Sequence, residues 1–255
     1  MRRARARYTL LPALAAALLL LFTSGQATAA TALYSGTGWR AWTDNSIVSL
    51  SPDPYEVVFA DDTARTQLAP YLKMPAAQVT NAVGVTITVT DTLDTTPVDA
   101  CPPRHRIVVH YLYRPAGTAG MSQTYACHAI ADGSAWGGHL LIDSEYWTVP
   151  GWFSSDPTVN TARQRDAVTH ELGHALGLAH PNQDLNGDGT VAAGECVQTS
   201  TGLKPIMCSP NRGNPLPTVT SDSTGRTAYS VEAGKFSTAF DVPGLKQLLA
   251  NYSAG

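Results

Sequence analysis

His170-Glu171-Leu172-Gly173-His174-Ala175-Leu176-Gly177-Leu178-Ala179-His180 is the stretch that decides how this chain folds. It fits H-E-x-x-H-x-x-G-x-x-H at every defined position. Residues four apart on a helix share a face one turn apart, so His170 and His174 can bind one Zn²⁺ through neutral imidazoles. Glu171 is rotated by about 100° of helix, which lets it lean over the metal without ligating it. Gly177 has no Cβ and can end the helix with positive φ. The chain can then reverse and bring His180 to the same ion. Three protein ligands leave a fourth tetrahedral position for water, the mark of a catalytic rather than a structural site.

Around this centre the composition is that of a globular protein, with 44% hydrophobic and 15% charged residues. That suffices for one substantial core. Residues 1–30 read as a secretory signal peptide. Arg2, Arg3, Arg5 and Arg7 precede an apolar run from Leu10 to Phe22, and Ala27-Thr28-Ala29 offers a cleavage site. Ala30-Thr31-Ala32 fits cleavage equally. The run is shorter than the ~20 residues of a membrane span and contains Pro12. The signal carries four arginines and no acid, so the remainder has 13 basic against 20 acidic residues, a net charge of about −7. No basic patch points to nucleic acid or to an anionic membrane. Four cysteines in an exported chain predict two disulfides, in one of three connectivities. Cys101–Cys127 and Cys196–Cys208 are favoured, because each pair is nearest in sequence and flanks one loop region. Cys101 lies in Asp99-Ala100-Cys101-Pro102-Pro103, a context that does not suit an inhibitory metal ligand.

Residues 31–50 form either a short propeptide or an N-terminal segment, and residues 51–255 one catalytic domain. Tyr55 to Ala60 reads as a strand. The apolar spacing from Asp62 to Val83 is helical, but Pro70 and Pro75 predict a break into two shorter helices. Val85 to Thr90, Arg106 to Tyr113 and Gly137 to Ile142 read as strands. A Pro/Gly/Ser-rich link, Pro150 to Pro157, leads to the long helix, for which Asn160 or Thr161 is the expected cap. Beyond that helix the chain reads as mainly irregular until a last helix, Pro243 to Asn251, with Asp241 as its cap.

A second motif follows directly. In Asp184-Leu185-Asn186-Gly187-Asp188-Gly189-Thr190-Val191-Ala192-Ala193-Gly194-Glu195, oxygen-bearing side chains fall at loop positions 1, 3 and 5. Gly189 falls at position 6, Thr190 offers a carbonyl at 7, and Glu195 stands at 12. That is the spacing of an EF-hand loop, whose hard oxygen donors suit Ca²⁺. Pro181-Asn182-Gln183 is not an incoming helix, so an isolated calcium loop with a structural role is expected.

The extended histidine motif resembles that of the metzincin clan of zinc endopeptidases. Pro205-Ile206-Met207-Cys208 resembles the clan's Met-turn, which implies that Met207 packs beneath the histidines without ligating. Ser209 stands where some families carry a tyrosine that reaches the zinc. Pro181 is reminiscent of serralysins, whereas the layout and terminal helix look more like matrixins. Some matrixins hold a second zinc through upstream histidines; His110, His128 and His139 lack the accompanying H-x-D pattern and read as ordinary strand residues. The resemblance implies an α+β fold: a mixed twisted sheet, the long zinc helix, and a smaller, mostly irregular C-terminal lobe ending in a helix. It implies an edge strand before the zinc helix that pairs with extended substrate, with Gly137 to Ile142 as the matching segment. It places a pocket wall in Ser209 to Arg226. The implied activity is that of a secreted, monomeric protease of protein or peptide substrates, with catalytic Zn²⁺ on His170, His174 and His180 and Glu171 as general base. A zinc- and calcium-binding module without turnover, or a zinc hydrolase of a non-peptide substrate, shares these residues and stays open.

Overall fold

The computed structural model describes residues 32–210 and 232–254. The signal peptide at 1–30 and most of the expected pocket wall therefore lie outside the described residues. In chain order the elements are β1 (Ser35–Gly36), β2 (Trp39–Ala41), β3 (Ser49–Leu50), β4 (Tyr55–Phe59), α1 (Asp62–Ala82), β5 (Ile87–Leu93) and β6 (Arg106–Leu112). There follow β7 (Gln123–His128), β8 (Ser134–Asp143), α2 (Glu145–Thr148), α3 (Pro157–Ala175), β9 (Leu178–Ala179) and α4 (Asp241–Ala254). The fold is mixed α/β, with one mainly parallel sheet and few helices. Strands β5, β4, β6 and β8 run parallel in that spatial order, and β3 pairs in parallel with the start of β8. From His180 to Pro210 the chain has neither helix nor strand.

Every residue of β8 is buried. A strand covered on both faces loses the alternation that marks a half-exposed one, which is why the sequence shows only its apolar centre, Gly137 to Ile142. That segment is not an edge. Strand β7 pairs antiparallel with β8 from Gln123↔Leu141 to His128↔Ala135 and takes the position expected of Gly137–Ile142. The strands pack most tightly at two glycines. A Cβ at Gly137 would collide with the Arg106 carbonyl, and one at Gly138 with that of Tyr125.

Two helices cover the sheet: α1 lies against β5 and β6, and α3 against β7 and β8. The break expected at Pro70 and Pro75 does not occur, for α1 runs unbroken through both. Asp61 caps it, accepting from the Ala64 N–H at 2.7 Å. Ala64, Leu68, Leu72, Ala76 and Val79 line its buried stripe, and tertiary burial of such a stripe outweighs local propensity. Helix α3 starts earlier than expected. Its cap is Asp156, which accepts from Thr158 N at 2.8 Å and Val159 N at 3.3 Å, and Pro157 occupies the first turn. Asn160, expected to cap, instead accepts from the Phe153 N–H at 2.9 Å.

Residues 33–50 are woven into the same body. Strand β2 pairs antiparallel with β9 through Arg40↔Ala179 and Ala41↔Leu178. Trp39, Ala41, Ile47 and Leu50 are buried. Asn251, in α4, donates to the carbonyls of Leu33 and Val48 at 2.7 and 2.8 Å and accepts from the Leu33 N–H at 3.1 Å. Both disulfides form as favoured from spacing, Cys101–Cys127 and Cys196–Cys208. They are consistent with an extracellular protein, and no helix among the described residues is long and apolar enough to cross a membrane. Starting the chain at Trp42 instead of Thr31 should lower the thermal unfolding midpoint by roughly 10 °C, through loss of the β2–β9 pairing and the Trp39 and Ala41 burial. An unchanged midpoint in calorimetry would put that segment outside the cooperative core.

Candidate metal centre

The final turns of α3 are buried all round, and they carry His170, Glu171 and His174. The helix ends at Leu176, and Gly177 reverses the chain at φ +95°. A Cβ there would stand 2.9 Å from Ile47 Cγ2, so space as well as backbone favours glycine. The Gly177 carbonyl accepts from the Trp42 N–H at 2.9 Å. Strand β9, held by β2, then carries the chain to His180.

His180 Nε2 lies 3.0 Å from His170 Nε2 and 3.1 Å from His174 Nε2. The other ring nitrogens fix the tautomers. His170 Nδ1 donates to the Ile206 carbonyl at 2.8 Å, and His174 Nδ1 donates to that of Leu178 at 2.7 Å. A carbonyl can only accept, so both Nε2 atoms are bare lone pairs aimed at one point. His180 can donate one N–H to one of them and leaves the other opposed. A cation satisfies all three. Tetrahedral coordination at about 2.0–2.1 Å sets nitrogens about 3.3 Å apart, close to the spacing observed. Among the described residues this is the one group of three His, Cys, Asp or Glu side chains whose ligand atoms converge. Burial pushes the His170 imidazolium down to about 3 and that of His174 well below its usual value; desolvation lowers His180 as well. The rings are thus neutral at ordinary pH, as ligands must be.

Glu171 lines a cleft of about 510 Å³ together with the three histidines. Burial pushes its carboxyl up to about 7, against the lowering effect of a hydrogen bond from Thr124. Thr124 Oγ1 donates to Glu171 Oε2 at 2.7 Å. One wall of the cleft is Gly120 to Thr124, the start of β7 and the loop before it. The facing wall includes Arg40, Trp42 and Asp44, with the Trp42 ring 4.8 Å from that of His174. Ser209 and Pro210 also reach the cleft, while the remainder of the expected wall to Arg226 falls among residues not described. Nothing in Gln-Thr-Tyr-Ala-Cys-His marked β7 as a strand, and neither Thr124 nor Trp42 carried a sequence signal.

The turn beneath the histidines is held from three directions. Met207 is buried under α3, where a Cβ on Gly173 would collide with its sulfur. Asp241, expected only as a helix cap, is fully buried. Its carboxylate accepts from Ile206 N at 2.8 Å, Ser237 N at 2.7 Å and Met207 N at 3.4 Å. The Cys196–Cys208 bridge and a two-way pairing of the Asn182 amide with the Ser209 backbone complete the frame. The Asp184–Glu195 loop turns its oxygen-bearing side chains onto its own backbone. Asp184 accepts from Gly187 N and Gly189 N at 2.7 and 2.8 Å. Asp188 accepts from Thr190 and Asn186, and Glu195 from Leu185 N and Ala192 N at 2.7 and 2.8 Å. These bonds hold the Asp188 and Glu195 carboxyls below the usual range. His110 and His139 bond each other at 2.9 Å, with His139 Nε2 donating to the Ala100 carbonyl at 2.8 Å.

Because Asp241 holds the Ile206 peptide whose carbonyl orients His170, its loss should be felt at the metal. Asp241→Ala should weaken the affinity of the three histidines for a divalent transition-metal ion by roughly 10–100-fold in a chelator competition. An affinity equal to the parent's would show that the turn holds itself.

No protein-family model matches this chain, and no curated protein does. Among solved structures, a chain of the GM1-bound form of the ECX AB5 holotoxin is similar at 15% identity and a TM-score of 0.36, over 83% of this chain and 84% of that one.

Proposed function

We propose that the protein is a secreted zinc-dependent endopeptidase of the metzincin type. One observation carries this reading: three imidazole nitrogens converge on the floor of an open cleft beside a buried carboxyl group. An all-imidazole set suits zinc among several transition metals. Zinc held by His170, His174 and His180 would supply Lewis acidity, lowering the pKa of water toward about 7 and stabilising negative charge on a carbonyl oxygen. Glu171 is the general base: its carboxylate takes a proton from the attacking water and hands it to the departing amine. A peptide substrate is supported by β7. Among the described residues its only strand partner is β8, so its other edge is where an extended chain would add beside the cleft. Met207 then serves as the Met-turn methionine beneath the site. The Asp184–Glu195 loop takes Ca²⁺ when its carboxylates turn from backbone N–H groups to the ion, and stiffens the segment between His180 and Met207.

Purified protein should carry one zinc per chain by mass spectrometry and cleave a peptide library, with cleavage lost on chelation and restored by zinc. Glu171→Gln should keep the zinc while the cleavage rate falls ~10²–10⁴-fold. A zinc-loaded Glu171→Gln protein as active as its parent would sink the mechanism, and a zinc-loaded parent that cleaves nothing would sink the function. Calcium at a hundred times its Kd should add about 2.7 kcal/mol of stability, raising the unfolding midpoint by roughly 5–10 °C, and Asp184→Ala should abolish the shift. An unfolding midpoint indifferent to calcium would remove that ion from the account.

A further inference from the structure

The hydroxyl of Thr124 touches two oxygens of Glu171: carboxylate Oε2 at 2.7 Å and the main-chain carbonyl at 3.0 Å. A hydroxyl has one proton to donate, and charge-assisted bonding commits it to the carboxylate. Thr124 is buried, and it sits in β7, the strand that walls the cleft. No other hydrogen bond to the Glu171 carboxylate is found among the described residues, so this contact alone fixes the side chain by hydrogen bonding. We infer that Thr124 is the positioning residue of the general base: by occupying Oε2 it leaves Oε1 as the oxygen that carries the proton, and it ties the orientation of Glu171 to the cleft wall. The inference rests on the reading of Glu171 as general base.

The physical argument is one of rotamer freedom. A glutamate side chain has three torsions, and the last is broad and roughly two-fold. Burial alone does not choose between the two oxygens. A donor at 2.7 Å does, and it comes from an element whose place is set by six register pairs with β8. A substrate strand laid along β7 would press on the same backbone that carries Thr124, so wall and base move together.

The test compares Thr124→Val, which removes the donor at nearly constant shape, with Thr124→Ser, which keeps it. In zinc-loaded full-length protein, Thr124→Val should lower kcat by about 10–100-fold with KM within about twofold. Thr124→Ser should return kcat to within about threefold of the parent, a rescue that a packing role for the threonine methyl would not give. Zinc content should match the parent in both. Should valine not be tolerated, Thr124→Ala serves the same comparison. A kcat within about twofold of the parent in the hydroxyl-free variants, an equal loss in Thr124→Ser, or a loss that follows zinc content would each overturn the inference. A crystal structure of zinc-loaded Thr124→Val gives a readout apart from turnover: Glu171 should spread over more than one rotamer, and a single unchanged rotamer would refute the positioning role. If the parent cleaves no peptide, it is the endopeptidase reading that fails, and the rotamer readout still decides the placement of Glu171.

Discussion

Two nitrogen lone pairs, on His170 and His174, each face His180 Nε2 at about 3 Å, and that nitrogen can offer a proton to only one of them, so the cluster needs a compensating force. Here the force is supplied from behind. Each helical histidine gives its Nδ1 proton to a main-chain carbonyl, and the carbonyls belong to Ile206 and Leu178. The rings cannot swing away without breaking a buried hydrogen bond, and they cannot change tautomer without setting two acceptors face to face. The rest of the fold can be understood as the means of keeping those two carbonyls in place.

Leu178 is kept in place by strand pairing. Strand β9 lies on β2, and Trp42 holds the Gly177 peptide just before it. Ile206 is kept in place by a carboxylate. Asp241, fully buried at the start of α4, is compensated by backbone N–H groups on the turn and on Ser237. A buried charge needs that many partners, so the interaction is specific as well as strong. The histidine cluster is thus built jointly from the N-terminal segment, the long helix and α4. The parallel sheet acts as the platform against which the three are pressed.

How much of this could be read from sequence follows from the kind of information each part carries. The convergence of His170, His174 and His180 was legible, because helical periodicity and a glycine stop convert directly into geometry. The disulfides were legible because loop closure favours near neighbours. The carbonyls that aim the histidines were not, since every residue has a carbonyl and none marks its role. Asp241 was noticed only as a helix cap; its contacts span 35 residues of sequence and no local pattern holds them. Pro70 and Pro75 misled because a local rule met a buried stripe that overrides it. Ser155-Asp156-Pro157 was a valid helix start, but its composition looked like a linker. Strand β7 was silent because Gln123–His128 is an edge with little apolar alternation, and assigning its place to Gly137–Ile142 put the cleft wall one strand too deep.

The position of Asp241 has a consequence for timing. The helix bearing two of the histidines is complete by Ala175, yet the peptide that steers His170 is clamped by a residue 66 places further along. A ribosome makes those residues well after the helix. A polypeptide made only as far as the helix therefore lacks the carboxylate that holds the Ile206 peptide. The three imidazoles take their final geometry only once Asp241 has been added.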